Sequence, residues 1–307
     1  MDVTLTGLLA AVRRQGSIPN TAATGSADSD LLDYLNGAMV YLAAEVIKCR
    51  EGFYRRYKDH TLSASQPRYR IPTRALGNRL AAVLLLDSAG KVLRKLNEVP
   101  YSRAPELSAV SDITGYYLEA GDIVLTPTST SSATTLRMVY YLRPSQLSSS
   151  LDTASGDCFT VTAVSGNVIT LMASHGLTTG TKVDIIKGGP PHEALSVDEL
   201  PSAVASSTIT VADGSRVEIG DIVCKADKAP VAQLPDAFQE CLPLLAAQSY
   251  WLALNEPGAV TRLGEAAVAS IKQAVSLVAP RVEESGKKIM STKGALGSLW
   301  GPYRRRY

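Results

Sequence analysis

With 307 residues, 45% hydrophobic and 20% charged side chains and a formal net charge of +2, the chain has the size of one elaborated domain or a core domain carrying an insertion. Its composition excludes a disordered or fibrous polymer. The longest apolar runs, such as Leu80 to Leu86, fall far short of the roughly 20 residues that cross a bilayer, so no membrane association is expected.

The N-terminal apolar patch, Leu5 to Val12, follows Asp2 and precedes Arg13 and Arg14 without a small-residue cleavage site. It does not read as a signal peptide, and synthesis as a soluble protein in a cytoplasm is the expectation. Gln15 to Asp28 is rich in Gly, Ser, Thr, Ala and Asn and reads as a flexible joint. Asp28, Ser29 and Asp30 then offer helix caps ahead of Leu31, Leu32, Leu35, Met39, Leu42, Ala43 and Val46, whose three- and four-residue spacing predicts an amphipathic helix to about Cys49. Its downstream end, Lys48 to Lys58, is basic and aromatic, which suits a helix C-terminus.

From Tyr69 the pattern changes. Tyr69-Arg70-Ile71-Pro72 reads as a strand entry, and Leu80 to Leu86, Asp87-Ser88-Ala89-Gly90 and Lys91 to Leu96 read as a hairpin. Further strands are expected at Tyr116 to Leu118, Asp122 to Leu125 and Thr135 to Leu142, with the Ser/Thr-rich Pro127 to Ala133 as an exposed turn. A second β-pattern follows at Phe159 to Val164, Asn167 to Met172, Lys182 to Ile186, Thr208 to Val211 and Asp221 to Lys225, spaced as in a small barrel or sandwich. Within it, Val217 to Val223 echoes Leu118 to Val124, each a turn feeding a strand.

Helix returns at Leu234, where Pro243 is expected to kink a segment carrying Phe238, Cys241, Leu242, Leu245 and Leu252. Another helix starts near Pro257, with Val260, Leu263, Ala267, Ile271, Ala274 and Val278 as its apolar stripe, and ends at Pro280. The expected class is α+β: a helical-bundle core with β-hairpins, an inserted small β-barrel or sandwich, and an extended C-terminal arm. The expected divisions are 1–150 for the N-terminal helix and hairpin part of the core, 151–228 for the inserted module, 229–280 for the helices completing the core, and 281–307 for the arm.

Catalytic patterns are scarce. Cys49, Cys158, Cys224 and Cys241 lie far apart without a CxxC pair and read as reduced, mostly buried thiols. His60, His175 and His192 have no second ligand at metal spacing and read as solvated loop residues. Gly176 to Lys182 lacks phosphate-loop spacing, and no GxSxG or GxGxxG is present. Glu98, Glu106 and Glu119 could supply a glycosidase pair, which leaves no local pattern, but such acids usually form a solvated surface. No catalytic, cofactor or metal site is expected.

Thirteen Tyr stand against three Phe and two Trp, an aromatic choice suited to half-wet subunit contacts. The stretch from Arg281 to Tyr307 carries seven basic residues against Glu283 and Glu284, so it holds +5 and leaves about −3 for the rest. Within it, Leu296, Leu299, Trp300, Tyr303, Arg304, Arg305, Arg306 and Tyr307 place bulky and cationic anchors on a glycine-rich thread, as in segments that fold on binding. One basic triplet beside a net-acidic body is a small footprint for nucleic acid.

The order of parts resembles the head-to-tail adaptor (head completion, connector) proteins of tailed bacteriophages. The resemblance is carried by Asp30-Leu31-Leu32-Asp33-Tyr34-Leu35-Asn36-Gly37-Ala38, Tyr69-Arg70-Ile71-Pro72-Thr73-Arg74-Ala75-Leu76-Gly77, the hairpin from Val83 to Leu96, and the late helices and arm. It covers Leu31 to Leu96 and Leu234 to Tyr307, and leaves the β-module at 151–228 unplaced. It implies a non-enzymatic virion protein at the head-tail junction, in a ring usually of twelve copies. Its implied partners are neighbouring copies, the portal protein gripped by the arm and a tail tube or nozzle protein, with packaged DNA nearby. The alternatives are a virion-associated cell-wall hydrolase or another tail or baseplate protein.

Overall fold

The computed structural model describes residues 4–19, 27–63, 66–103, 113–126, 134–148, 151–153, 156–172 and 175–279. The N-terminal apolar patch folds as helix α1 (Leu5–Gly16), in which Leu5, Leu8, Ala11 and Val12 are buried. Thr4 caps it by accepting from the Gly7 N–H (3.4 Å), and Ser17 ends it in the left-handed region at φ 53°. Helix α2 (Asp28–Cys49) buries Leu31, Leu35, Met39, Leu42 and Val46, the stripe its spacing predicts. The basic aromatic stretch beyond it is not a helix end but strand β1 (Arg55–Thr61). Its polar residues alternate, with Arg56 and His60 half-buried.

Six more strands join β1: β2 (Arg68–Arg70), β3 (Ala75–Leu86), β4 (Val92–Glu98), β5 (Gly115–Glu119), β6 (Asp122–Thr126) and β7 (Thr135–Leu142). Their order is β1-β7-β3-β4-β5-β6-β2, antiparallel except for β4 against β5. The expected hairpin is β3–β4, pairing Val83 with Leu96 and Leu86 with Val92. Its turn is held by Asp87, whose carboxylate accepts from the N–H groups of Ala89 (2.9 Å) and Lys91 (2.8 Å). The sheet is barrel-like. Its inner face gathers Tyr69, Val83, Leu85, Leu96, Ile123, Leu136 and Met138 into one core, and its end strands meet where His60 of β1 stands edge-on to Tyr69 of β2 at 5.8 Å.

After β8 (Gln146–Leu147) a second seven-stranded sheet is built from β9 (Cys158–Ser165), β10 (Val168–Leu171), β11 (Val183–Ile186), β12 (Ala194–Glu199), β13 (Ala203–Val204), β14 (Thr208–Thr210) and β15 (Ile222–Lys225). The order is β12-β11-β15-β9-β10-β14-β13, with all pairs antiparallel. Phe159, Val161, Ile169, Ile185, Ile209 and Val223 form its core. Gly188 permits a close approach, since a Cβ there would lie 1.9 Å from the Gly220 carbonyl oxygen.

The chain leaves through β16 (Lys228–Ala229), parallel to β8, and ends the described residues in α3 (Asp236–Gln239), α4 (Cys241–Ala253) and α5 (Pro257–Val278). The kink expected at Pro243 is instead a break at Glu240, between α3 and α4. Pro243 falls in the first turn of α4, where its missing N–H costs nothing because that position has no intrahelical acceptor. Pro257 opens α5, and Ala279, the residue before Pro280, is extended at ψ 129°.

The expected helical-bundle core is overturned. The described chain is mostly β, organised by two barrel-like sheets each enclosing its own apolar cluster, and the few helices form a third cluster against them. Helices broadcast a long 3.6-residue stripe, whereas strands that, apart from β3, run only two to eight residues give short and ambiguous runs, so periodicity overweights the helices.

The three clusters meet at a buried ion network. Arg74, in the turn entering β3, is 3% exposed, and Asp184 of β11 is fully buried. Arg74 Nη1 donates to Asp184 Oδ2 (2.8 Å), its Nη2 donates to Ser145 Oγ (2.9 Å), and its Nε faces Asp227 Oδ1 at 3.4 Å. Asp184 also accepts from the backbone N–H groups of Asp227 (3.0 Å) and Asp198 (2.9 Å). Arg143 Nη2 holds the other Asp227 oxygen at 2.6 Å. Burial works against the Arg74 charge, but Asp184 and Asp227 outweigh it and hold its pKa above the ordinary arginine value.

Removing one member strands a buried charge. Asp184→Ala or Arg74→Ala should therefore cost about 3–5 kcal/mol in urea unfolding. Arg68→Ala at the exposed Arg68–Glu119 pair (2.8 Å) should cost under about 1 kcal/mol. Equal losses at the two sites would show that the junction carries no special weight.

Candidate assembly interfaces

The anchor residues expected in the arm, Leu296, Leu299, Trp300, Tyr303, Arg304, Arg305, Arg306 and Tyr307, lie outside the described residues, as do Glu106 and the 127–133 turn. Of the other candidate acids, Glu119 is engaged by Arg68 (2.8 Å) and Glu98 ends β4 on the surface.

The histidines are not solvated loop residues as expected. His175 is 8% exposed and packs edge-on to Phe159 at 5.8 Å; His192 is 5% exposed with Nδ1 3.2 Å from the Lys187 carbonyl; His60 is half-buried in β1. An imidazole ring packs on an aromatic edge as readily as it meets water, and nothing in the local sequence distinguishes the two. Among the described residues no group of three or more His, Cys, Asp or Glu is placed to hold a metal ion, and no helix is long and apolar enough to cross a membrane.

The tyrosines divide into two sets. Tyr54 is buried and donates to the Gln233 carbonyl (2.5 Å), and Tyr69 accepts from the Ser63 N–H (3.1 Å), so these rings hold the fold. Tyr41, Tyr57 and Tyr101 present their rings to the surface. Tyr57 lies under the Arg137 guanidinium at 4.1 Å, which keeps a wet ring ordered.

Three surfaces have the chemistry of contacts. The first is the outer side of the late helices: α5 buries only Leu263, Ala267 and Ala274 along its 22 residues, while Leu252, Leu254, Val268 and Leu277 are more than half exposed. Between α4 and α5 runs a groove of about 540 Å³ lined by Gln248, Val260, Gly264, Glu265 and Val268. The second is the rim of the first sheet, where Val92, Leu93 and Leu118 are exposed and Tyr101 stands edge-on to Tyr117 at 5.3 Å. The third is a cleft between the two sheets. There Arg56, Tyr57, Tyr140 and Arg216 line about 460 Å³, and Lys58, Arg70 and Lys182 line an adjoining 370 Å³.

A family model described as SU10 adaptor protein matches residues 3–168, more than half of the chain. The chain belongs to the SU10 adaptor protein family. No curated protein matches it. The match to the adaptor family begins at α1 and spans α2, the whole first sheet and the entry into the second. It thus starts before the Leu31–Leu96 segment that carried the resemblance and runs well past it. Membership makes this chain an adaptor protein of phage particles, with other head and tail proteins as the class of its partners.

Burial holds the pKa of His175 below the ordinary histidine value, and burial followed by nearby Lys58 does the same for His60. A folded-state pKa below the unfolded one favours the neutral ring, so this stability is complete above about pH 6.5 and is lost as pH falls through the folded pKa. The thermal midpoint of the adaptor should accordingly drop between pH 7 and pH 5, and His175→Gln should flatten that slope. Differential scanning calorimetry over this range would refute the assignment if the variant kept the wild-type slope.

Proposed function

We propose that this adaptor is a non-enzymatic ring subunit that joins the portal of a phage head to the tail. Copies of the chain pack side by side, the arm at 281–307 grips the portal, and a tail tube or nozzle protein docks on the opposite side. The observation that supports this reading is membership of the adaptor family over residues 3–168. The groove between α4 and α5, lined by Val260, Gly264 and Val268, supplies an apolar surface of the kind that closed rings use between neighbours. The basic, aromatic composition of the arm suits a tethered contact, where attachment to a docked body raises its effective concentration. The division into an adaptor core and a β-module inserted at 151–228 belongs to the same proposal, with the module facing outward or toward the tail.

Deleting 281–307 should leave the thermal midpoint of the body within a few degrees of wild type and abolish capture by portal-bearing heads in a sedimentation assay. A truncated chain that still co-sediments with heads would remove the arm from the mechanism. Val268→Asp, an exposed change expected to alter stability by no more than about 0.5 kcal/mol, should reduce ring formation on portal as read by native mass spectrometry. An undiminished ring would take α5 out of the subunit contact.

A further inference from the structure

Cys158 and Cys224 are separated by most of the second sheet in sequence, yet they are direct cross-strand partners of β9 and β15. The Lys225 N–H donates to the Asp157 carbonyl (2.7 Å) and the Val161 N–H to the Asp221 carbonyl (2.8 Å). The 157/225 and 161/221 pairs are therefore hydrogen-bonded, and by alternation 158/224 is a non-hydrogen-bonded pair. In such a pair the Cα atoms lie about 4.5 Å apart with both side chains on one face. That spacing falls within the roughly 4.4–6.8 Å that a disulfide spans. The two side chains are thus direct cross-strand neighbours. Both are fully buried, together with Ile186, Ile222, Ala229 and Val231. Cys241 is buried in the helical cluster and Cys49 is half-buried at the end of α2, so neither belongs to this pair.

We propose that Cys158 and Cys224 form an intrachain disulfide that locks the second sheet after the chain leaves a reducing compartment. The reaction is exchange with a small disulfide. One cysteine thiolate attacks it and expels the first small thiol, and the second cysteine then attacks the mixed disulfide and expels the other. One S–S bond forms in the protein as one breaks in the reagent, and the two thiol protons end on the two small thiols. The link ties strands that enclose 65 residues, nearly all of the second sheet. Cross-linking a loop of that length removes much of the freedom of the unfolded chain. Burial raises the Cys224 pKa well above the ordinary thiol value, which suppresses the thiolate and makes closure slow and faster at high pH. Slowness suits a lock that must stay open during assembly; this timing rests on the adaptor reading above, whereas the chemistry does not.

The test is to incubate the reduced full-length protein with cystamine at pH 7.5 and pH 9, alkylate it under denaturing conditions, and map the cysteines by peptide mass spectrometry. The expected product joins the peptides of Cys158 and Cys224, appears faster at pH 9, and raises the thermal midpoint by on the order of 5–10 °C. Cys158→Ala and, independently, Cys224→Ala should each abolish both the link and the rise. Recovery of both cysteines singly alkylated while the denatured control cross-links, or pairing of either with Cys49 or Cys241, would overturn the proposal. In a second arm, thiols are trapped inside infected cells and in released particles. A chain reduced in cells and linked in particles is expected, and free thiols in released particles would overturn the lock. Absence of the chain from particles would count against the adaptor reading and leave a link mapped in the purified chain standing.

Discussion

Everything else in this molecule is arranged around the desolvated charge of Arg74. A guanidinium 3% exposed is tolerable only if it is surrounded by oxygens and opposite charge, and no single element here could provide them. Asp184 comes from the second sheet, Asp227 from the segment leaving it, and Ser145 and the Arg143 carbonyl from the connection between the sheets. The same connection is then tied to the helices, because the Ser145 N–H donates to Gln233 (2.7 Å) and the Leu147 N–H to Asn36 of α2 (2.8 Å). A partly assembled version would hold an unpaired charge in a low-dielectric place, so intermediate arrangements of the three clusters are penalised. Two independent barrels and a helical cluster thereby become parts of one cooperative structure.

The sequence displayed this unevenly. The stripes of α2 and α5, the β3–β4 hairpin and the strands carrying Phe159, Ile169 and Ile185 are all legible because apolar spacing reports local burial. Helix α1 was legible only as an apolar patch, because its twelve residues sit between an acidic start and a Gly/Ser-rich stretch. Strand β1 was read as a helix tail, since Arg55, Arg56, Tyr57 and Lys58 carry no apolar alternation to mark it. The short strands β12 and β13 are interrupted by Ser196, Asp198, Glu199 and Pro201, which leave no apolar run long enough to mark them. What no local window contains is the pairing of residues 110 apart, as in Arg74 and Asp184. Local apolar spacing therefore favours a bundle core, whereas the long-range strand pairing that builds the two sheets leaves no mark in any short window.

Much the same limit applies to the assembly surfaces. An arm built from Trp300, Tyr303 and three arginines advertises binding through composition alone. The exposed positions on α5 do not, because Val268 and Leu277 look like ordinary members of an amphipathic helix until the packing shows Leu263, Ala267 and Ala274 buried and Ile271, Val275 and Val278 partly buried against the core, with those two left outside. Stripe width is thus misleading for a helix that keeps apolar side chains outside its own core contact.

The strands of the second sheet come from one continuous stretch of chain, β9 to β15. Entry and exit lie side by side, since Cys158 faces Cys224 and just outside them Lys225 Nζ meets the Asp157 carboxylate at 3.1 Å, with Ser148 bonded to the same residue at 3.1 Å. The host needs only to bring together two points that are already adjacent, so the closure cost depends weakly on how much chain lies between them. Yet the module is not a free appendage, because Asp184 reaches back to Arg74. Lengthening or reshaping its outer strands β10, β13 and β14 would leave that contact untouched, whereas any shift of β11 would break it. The distal side of the sheet is therefore free to vary with whatever it meets, while the side near β11 is held to the first sheet by the buried Arg74–Asp184 pair.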